Sequence, residues 1–362
     1  MTNSPEQKNT KILYISRAHG THAGGMERFS FEIANTLKKM PGISITVASY
    51  AGPKYLAPLW AIGMAFRLII TAGAYDCIYL ADPVLLLPGW VAKTLHNKKI
   101  VVNVHGLDIT HPNPIYQAYL SAMSAVPSHI FPISAHVENI AKVAFPNIPA
   151  TRITPAVSDE YYNPSVTKQD LVQIIGEKAL THNLLFTNGR LAKRKGQAWF
   201  IGHVLPKLPK DTLYIISGDG AQKEEIKKII KLSGTQDQVV MLGRVSAKTL
   251  ETLYNSVDIF IQPNIPTADD VEGFGLVLLE ASLCERVVIA SNLEGIKDAL
   301  KDKENGLLVT PEDESAWINT VTNVLEHKDE YKELAKRARQ YTLQNYTWEK
   351  TGADIANVLK SL

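Results

Sequence analysis

Short apolar runs alternate with helix-length segments along the whole chain. In the first half the runs are KILYIS (11–16), ISITVAS (43–49), DCIYLA (76–81), KIVVNVHG (99–106) and HIFPIS (129–134). They are rich in Ile and Val and lack a clean apolar–polar alternation, which predicts parallel strands covered on both faces. The segments between them are long enough for helices, so the pattern is a repeated βαβ unit. After ITPAVSDEYYNPSVTKQD the rhythm restarts with NLLFTNGR (183–190), TLYIISGDG (212–220), QVVMLGRV (238–245), DIFIQPN (258–264), VVIAS (287–291) and GLLVT (306–310). Helical segments such as AQKEEIKKIIKL separate these runs, and two helices near 328–342 and 347–361 end the chain.

The fold class that follows is α/β, with two doubly wound, Rossmann-like parallel-sheet domains facing a cleft. A chain of 362 residues exceeds one ordinary core, which agrees with two domains. The expected division is 1–165 and 166–344, with the polar Tyr161–Leu180 region as the link. In open parallel sheets ligands sit at the carboxyl ends of the strands, so the cleft is the expected working site.

Composition adds limits. With 45% hydrophobic and 20% charged residues the chain is an ordinary globular protein. Its net charge of +2 is unevenly spread: residues 1–158 hold 13 Lys and Arg against 7 Asp and Glu, and the remainder is net acidic. A basic first half suits an anionic partner, either a membrane surface or an anionic acceptor, although scattered solvated charge explains it equally well. Cys77 and Cys284 make neither a disulfide framework nor a metal cluster, which fits a reducing compartment. The polar MTNSPEQKNTK lacks the apolar core of a signal peptide, so a cytoplasmic location is expected. The most apolar segment, YLAPLWAIGMAFRLIITAGAY, is broken by Arg67 and falls short of the ~18 uninterrupted apolar residues of a spanning helix. It is expected as a buried interdomain helix. Docking on the inner face of a bilayer that carries a lipid-linked acceptor is the second reading.

Three motifs carry candidate chemistry. TNGRLAKRKG gathers Arg190, Lys193, Arg194 and Lys195 where a strand gives way to a helix, a cationic loop suited to a diphosphate. Arg190 and Lys195, at its two ends, are the expected phosphate ligands, while Lys193 and Arg194 are expected to face water. In ISGDG, Gly218 permits close backbone approach. In EGFGLVLLE, Gly273 and Gly275 flank Phe274 and open a helix, which leaves the amides of Gly275, Leu276 and Val277 free for an anion. Glu272 then lies just outside the helix, within reach of a sugar's hydroxyls. Glu280 lies about 12 Å further along, placed for a ribose. The plainer reading is a charge at a helix terminus and a surface glutamate.

The ordered set GRLAKRKG, SGDG, VVMLGRV, DIFIQPN, EGFGLVLLEA and ENGLLVTPED resembles the retaining glycosyltransferases of family four, with the GT-B fold. GGMERFSFEIANTL resembles that family's glycine loop and first helix. The resemblance covers nearly the whole chain and is strongest over 183–311. It implies that Glu272 contacts the donor sugar, that Glu280 holds the nucleotide ribose, and that Arg190 and Lys195 hold the diphosphate. It also implies that the backbone at Gly24 and Gly25 approaches the diphosphate from the other domain, and that the base packs near VVMLGRV. By the same resemblance, the terminal helix, 345–362, packs back on the first domain, and His105 of HGLD (105–108) stands beside the reacting sugar. A strand-end histidine bonded to a backbone carbonyl is the simpler account of His105, and Asp108 either orients it or faces an acceptor hydroxyl. His19, His22 and His111 share no metal-ligand spacing. The chain departs from the family pattern in PAVSDEYYNP, where many members read NGVD, and in ASLCERVVIAS, after Glu280.

The implied reaction is retaining transfer of a hexosyl group from a UDP- or GDP-hexose to an acceptor hydroxyl, in cell-envelope or other glycan biosynthesis. The acceptor would be a glycan or a lipid-linked molecule. No Asp-x-Asp motif sits at a strand end, so neither a metal nor a cofactor is expected, and no nucleic-acid partner. A dinucleotide-dependent oxidoreductase is disfavoured because HGTHAGG lacks the spacing of Gly-x-Gly-x-x-Gly. A non-catalytic nucleotide-sugar-binding subunit on the same fold is the alternative.

Overall fold

The computed structural model describes residues 9–17, 25–50, 52–268 and 270–362. Gly24, His19 and His22 lie outside the described residues. The chain divides into two units, residues 1–156 with 346–362, and residues 157–345.

The first unit holds β1 (Thr10–Ser16), β2 (Ile43–Ser49), β3 (Cys77–Leu80), β4 (Lys99–Val104) and β5 (His129–Pro132). All pair in parallel, in the order β2-β1-β3-β4-β5. β3 and β5 are buried along their whole length, as strands covered on both faces must be, whereas the edge strand β2 is largely open. The helix α1 (Gly25–Lys38) packs against the terminal helix Trp348–Ser361. Gly352 is required at that crossing, since a Cβ there would lie 2.3 Å from the Thr36 side chain. The Thr351 hydroxyl donates to the Thr154 carbonyl at 2.6 Å and fastens the same helix to the unit.

The second unit holds β6 (Asn183–Asn188), β7 (Thr212–Ser217), β8 (Val239–Gly243), β9 (Ile259–Gln262), β10 (Val287–Ser291) and β11 (Leu307–Val309), in the order β11-β10-β9-β6-β7-β8 and again parallel. One side of this sheet buries Phe200, Tyr214, Ile216 and Trp317 in a continuous core. The strand order reverses between β6 and β9, which opens a crevice at their carboxyl ends.

The segment expected as a free link is instead anchored in the second unit. The Asn163 amide donates to Asn255 Oδ1 at 2.9 Å and its side chain to Glu251 at 2.7 Å. Arg339 pairs with Asp159 and lies 3.5 Å over the Tyr162 ring. A capping box between Thr167 and Asp170 then starts the helix Lys168–Ile175. The division accordingly falls at Ala156/Val157, earlier than residue 165.

The long apolar segment forms α2 (Ala57–Thr71), packed along α3 (Leu86–His96). It is not a buried helix. Ala57, Ala61, Met64, Ala65 and Leu68 turn inward, while the larger Leu59, Ile62, Phe66, Ile69 and Ile70 are exposed. By length and composition alone, Ala57–Ala74 is apolar enough to cross a membrane despite Arg67, yet one face of it is packed on the unit.

Candidate donor-binding site

The crevice of the second unit is lined by residues from two strand ends and one helix start. β6 leads into Gly189 and Arg190, then a short turn at Lys193–Lys195. β9 ends in Gln262 and continues to Asn264. The turn and the β9 end are joined by the Ile265 amide, which donates to the Arg194 carbonyl at 2.9 Å. The helix Leu276–Leu283 follows Gly275, whose φ of 96° is one that glycine adopts without strain.

Four donors converge on one carboxylate oxygen. Lys195 Nζ and Arg194 Nη1 each lie 2.5 Å from Glu272 Oε2, Asn264 Nδ2 lies at 2.9 Å, and Gln262 Nε2 at 3.5 Å. Glu272 Oε1 takes no hydrogen bond from another described residue. Asp270 holds Arg194 Nε at 2.8 Å from the other side, and Glu294 accepts the Glu272 amide. All three central groups, Arg194, Lys195 and Glu272, are buried.

Electrostatics follow from that packing. Burial would raise the Glu272 carboxyl, but attraction to Lys195 and Arg194, with hydrogen bonds from Lys195 and Asn264, outweighs it and holds the group down at about 2. Burial lowers Lys195 in spite of Glu272, and the neighbouring Arg194 and Arg190 add to that fall. Burial also lowers Arg194, but Glu272 and Asp270 more than reverse it. Lys195, Arg194, Glu272 and Asp270 thus form a charge-balanced cluster inside a parallel-sheet crevice.

Glu272 was expected just outside the helix, within reach of a sugar's hydroxyls, with no protein partner assigned to it. It is buried because its carboxylate is the counter-charge for two cations. Arg194 was expected in water with Lys193, and it too is buried, for the reciprocal reason. Arg190 is exposed, at the end of the loop. Phe274 is buried, and the amides of Gly275, Leu276 and Val277 make no hydrogen bond to a described residue. Gly218, with φ 125°, meets the protein itself: a Cβ would lie 1.8 Å from the Gly189 carbonyl oxygen. Its close backbone approach is therefore between the loops after β6 and β7.

Glu280 is partly buried, with Oε2 accepting from the Tyr254 hydroxyl at 2.7 Å. Asn188 Nδ2 reaches that hydroxyl at 3.2 Å, and Ser217 donates to Asn188 Oδ1 at 2.8 Å. The relay Ser217–Asn188–Tyr254 fixes Glu280 from the ends of β6 and β7. Sequence reasoning left Arg194 to solvent and passed over Asn264, Gln262 and Tyr254. For Asn264 and Gln262 a signal existed: two amides close the otherwise apolar IFIQPN.

In the first unit, His105 follows β4. Its Nε2 lies 3.1 Å from the Ala81 carbonyl and its ring meets Phe29 edge-on at 5.4 Å. The simpler account of this histidine, a bond to a backbone carbonyl, is what the geometry displays. Asp108 orients it through the backbone, since both carboxylate oxygens accept the His105 amide, at 3.0 and 2.9 Å. Gly25 begins α1.

Residues 171–341, which contain the whole crevice, match the family model described as Glycosyl transferases group 1. Over that segment the chain is similar to the group 1 glycosyl transferases. A glycosyltransferase of Methanocaldococcus jannaschii, itself uncharacterised, is 24% identical over 83% of this chain and 80% of its own length. The GDP-mannose-dependent alpha-(1-6)-phosphatidylinositol monomannoside mannosyltransferase of Mycolicibacterium smegmatis is 26% identical over 77% of this chain and 74% of its own. Among solved structures, Anabaena HepE in complex with UDP-glucose superposes with a TM-score of 0.77 at 23% identity, covering 98% of this chain and 100% of the other. At that identity the superposition establishes the fold, two parallel-sheet α/β units of the GT-B type, and the glycosyltransferase assignment rests on the sequence match.

Proposed function

We propose that the chain is a retaining, metal-independent hexosyltransferase that takes its sugar from a UDP- or GDP-hexose and passes it to the hydroxyl of a glycan or lipid-linked acceptor. The observation that carries this reading is the buried meeting of Lys195 and Arg194 with Glu272 beside the free amides of the Leu276–Leu283 helix. Lys195 has three donor positions and spends one on Glu272. Its others, with exposed Arg190 and the amides of Gly275, Leu276 and Val277, suit a diphosphate without a divalent ion. Glu272 Oε1 is the acceptor left for a hydroxyl of the donor sugar. Glu280, steadied by Tyr254, offers a carboxylate to the ribose.

As the sugar–phosphate bond breaks, negative charge grows on the leaving diphosphate and positive charge on the sugar. Cations and amides already fixed in place stabilise the first. The leaving phosphate oxygen takes the acceptor's proton. His105 keeps the role that the family resemblance gives it, beside the reacting sugar. The choice between UDP and GDP draws on two relatives: the mycobacterial one is named for GDP-mannose, and HepE was solved with UDP-glucose. A cytoplasmic setting, against the inner face of a membrane, and a place in envelope or other glycan synthesis accompany this reading.

A thermal-shift panel of UDP-, GDP- and ADP-sugars tests the donor site, and release of nucleoside diphosphate in the presence of acceptor tests transfer. Stabilisation by one nucleotide sugar, with release abolished in Glu272→Ala, supports the proposal. No response to any nucleotide sugar ends it.

A further inference from the structure

A helix on the surface of a domain normally turns an apolar stripe to the core and polar side chains to water. α2 departs from that rule on its outer side. Leu59, Ile62, Phe66, Ile69 and Ile70 recur at helical spacing and fall on one strip about 100° wide. Phe66 is 66% exposed and Ile70 85%. Tyr55, in the turn before α2, is also exposed and extends the apolar surface toward the helix start. Scattered exposed apolar residues are ordinary, whereas a continuous strip of large ones marks a contact surface.

The charges beside the strip say what kind of contact. Arg67 is exposed on its flank. His96 Nε2 lies 2.8 Å from the Ile69 carbonyl and Lys98 Nζ reaches the Gly73 carbonyl at 3.4 Å, so the cationic end of α3 borders the last turn of α2. Between residues 50 and 99 the acids are Asp76 and Asp82 alone. Asp82 is buried and paired with Arg17 at 2.9 Å, and Asp76 accepts the Lys11 amide at 2.8 Å. The strip is therefore apolar with a basic border. A second copy of the chain laid on it would match the apolar side chains but set like charges against each other. A surface of acyl chains beneath anionic headgroups complements both features.

We propose that α2 lies in the interface of an anionic phospholipid bilayer, with Leu59, Ile62, Phe66, Ile69 and Ile70 entering the headgroup–acyl boundary and Arg67 and Lys98 meeting lipid phosphates. The proposal does not depend on the transfer reaction, because no residue of the strip belongs to the donor site.

Flotation of the full chain with vesicles of phosphatidylcholine alone, or mixed with phosphatidylglycerol, tests it. Binding is expected to the mixed vesicles at low salt and to weaken at high salt. The double variant F66S/I70S is expected to lower vesicle affinity about tenfold or more, given the apolar area withdrawn from lipid. Arg67→Glu is expected to lower it several-fold on the mixed vesicles only. Leu232→Ser, at an exposed apolar residue of the second unit, is expected to change nothing. Should F66S/I70S lose its far-UV circular dichroism, Ile70→Gln alone serves in its place. Failure to float with mixed vesicles at low salt overturns the proposal, as does undiminished binding by the variants. So does a concentration-dependent dimer that F66S/I70S abolishes while vesicles are ignored.

Discussion

The first unit leaves large apolar side chains in water along α2, while the second buries charged ones in its crevice. Both arrangements depart from the usual partition of residues between surface and interior. They differ in how the cost is met. In the crevice, Glu272 and Asp270 answer Arg194 and Lys195 within the protein, so the charges are compensated before any ligand arrives. On α2 no described residue of the unit covers Leu59, Phe66 or Ile70, and the compensation proposed for them is a lipid surface. A preformed, rigid site and an open contact surface are the two physical outcomes.

The comparison breaks most visibly at Glu272. Replacing it by Ala leaves two buried cations without their direct carboxylate partner, answered among the described residues by Asp270 and, less directly, Glu294, a loss expected to be on the order of 3–5 kcal/mol in urea unfolding, beyond the loss of turnover. Next in size is the response to acid. Glu272 is held at about 2, against an ordinary 4.5, so its stabilising share is complete above pH 4.5 and is lost as pH falls through about 2. Urea midpoints measured over that range should fall more steeply in the native chain than in Glu272→Gln. Equal slopes would mean that the cluster is not ionised as drawn.

Smaller effects separate the members of the loop. Lys195→Met removes the larger of the two attractions on Glu272 and one charge-assisted donor to a diphosphate. Nucleoside-diphosphate affinity by calorimetry is expected to fall about 10- to 100-fold. Arg190→Ala touches an exposed side chain, so stability should hold within about 0.5 kcal/mol while that affinity drops several-fold. If Arg190→Ala left affinity unchanged, the diphosphate would be held by the buried end of the loop alone.

The strands and the restart of the βαβ rhythm after residue 170 were legible because period and composition act locally: buried parallel strands have to be apolar throughout. The Gly275 helix start was legible for the same reason. What stayed hidden depends on distant partners. Arg194 and Lys193 look alike in the run KRKG, and only Glu272 and Asp270, over seventy residues on, decide that one of them is buried. Tyr254 reaches Glu280 from a helix whose pattern shows only an aromatic core residue. The direction of α2 was misread because apolar residues occur on all its faces. Three of the five inward residues are alanines while the outward strip is all large, so the sides differ more in size than in polarity.

That difference yields the smallest effect expected and the sharpest contrast with Glu272. Ile70→Gln removes an exposed β-branched side chain from the last turn of α2 and puts a comparable or better helix former in its place. No packing is lost inside the unit, since the inward contacts of that helix come from Ala61, Met64, Ala65 and Leu68. Urea unfolding should therefore shift by no more than about 0.5 kcal/mol, in either direction. A cost as large as that of Glu272→Ala would mean that Ile70 is packed within the folded chain. The outer strip would then be part of a core, and the contrast between an internally balanced crevice and an outwardly open helix would be lost.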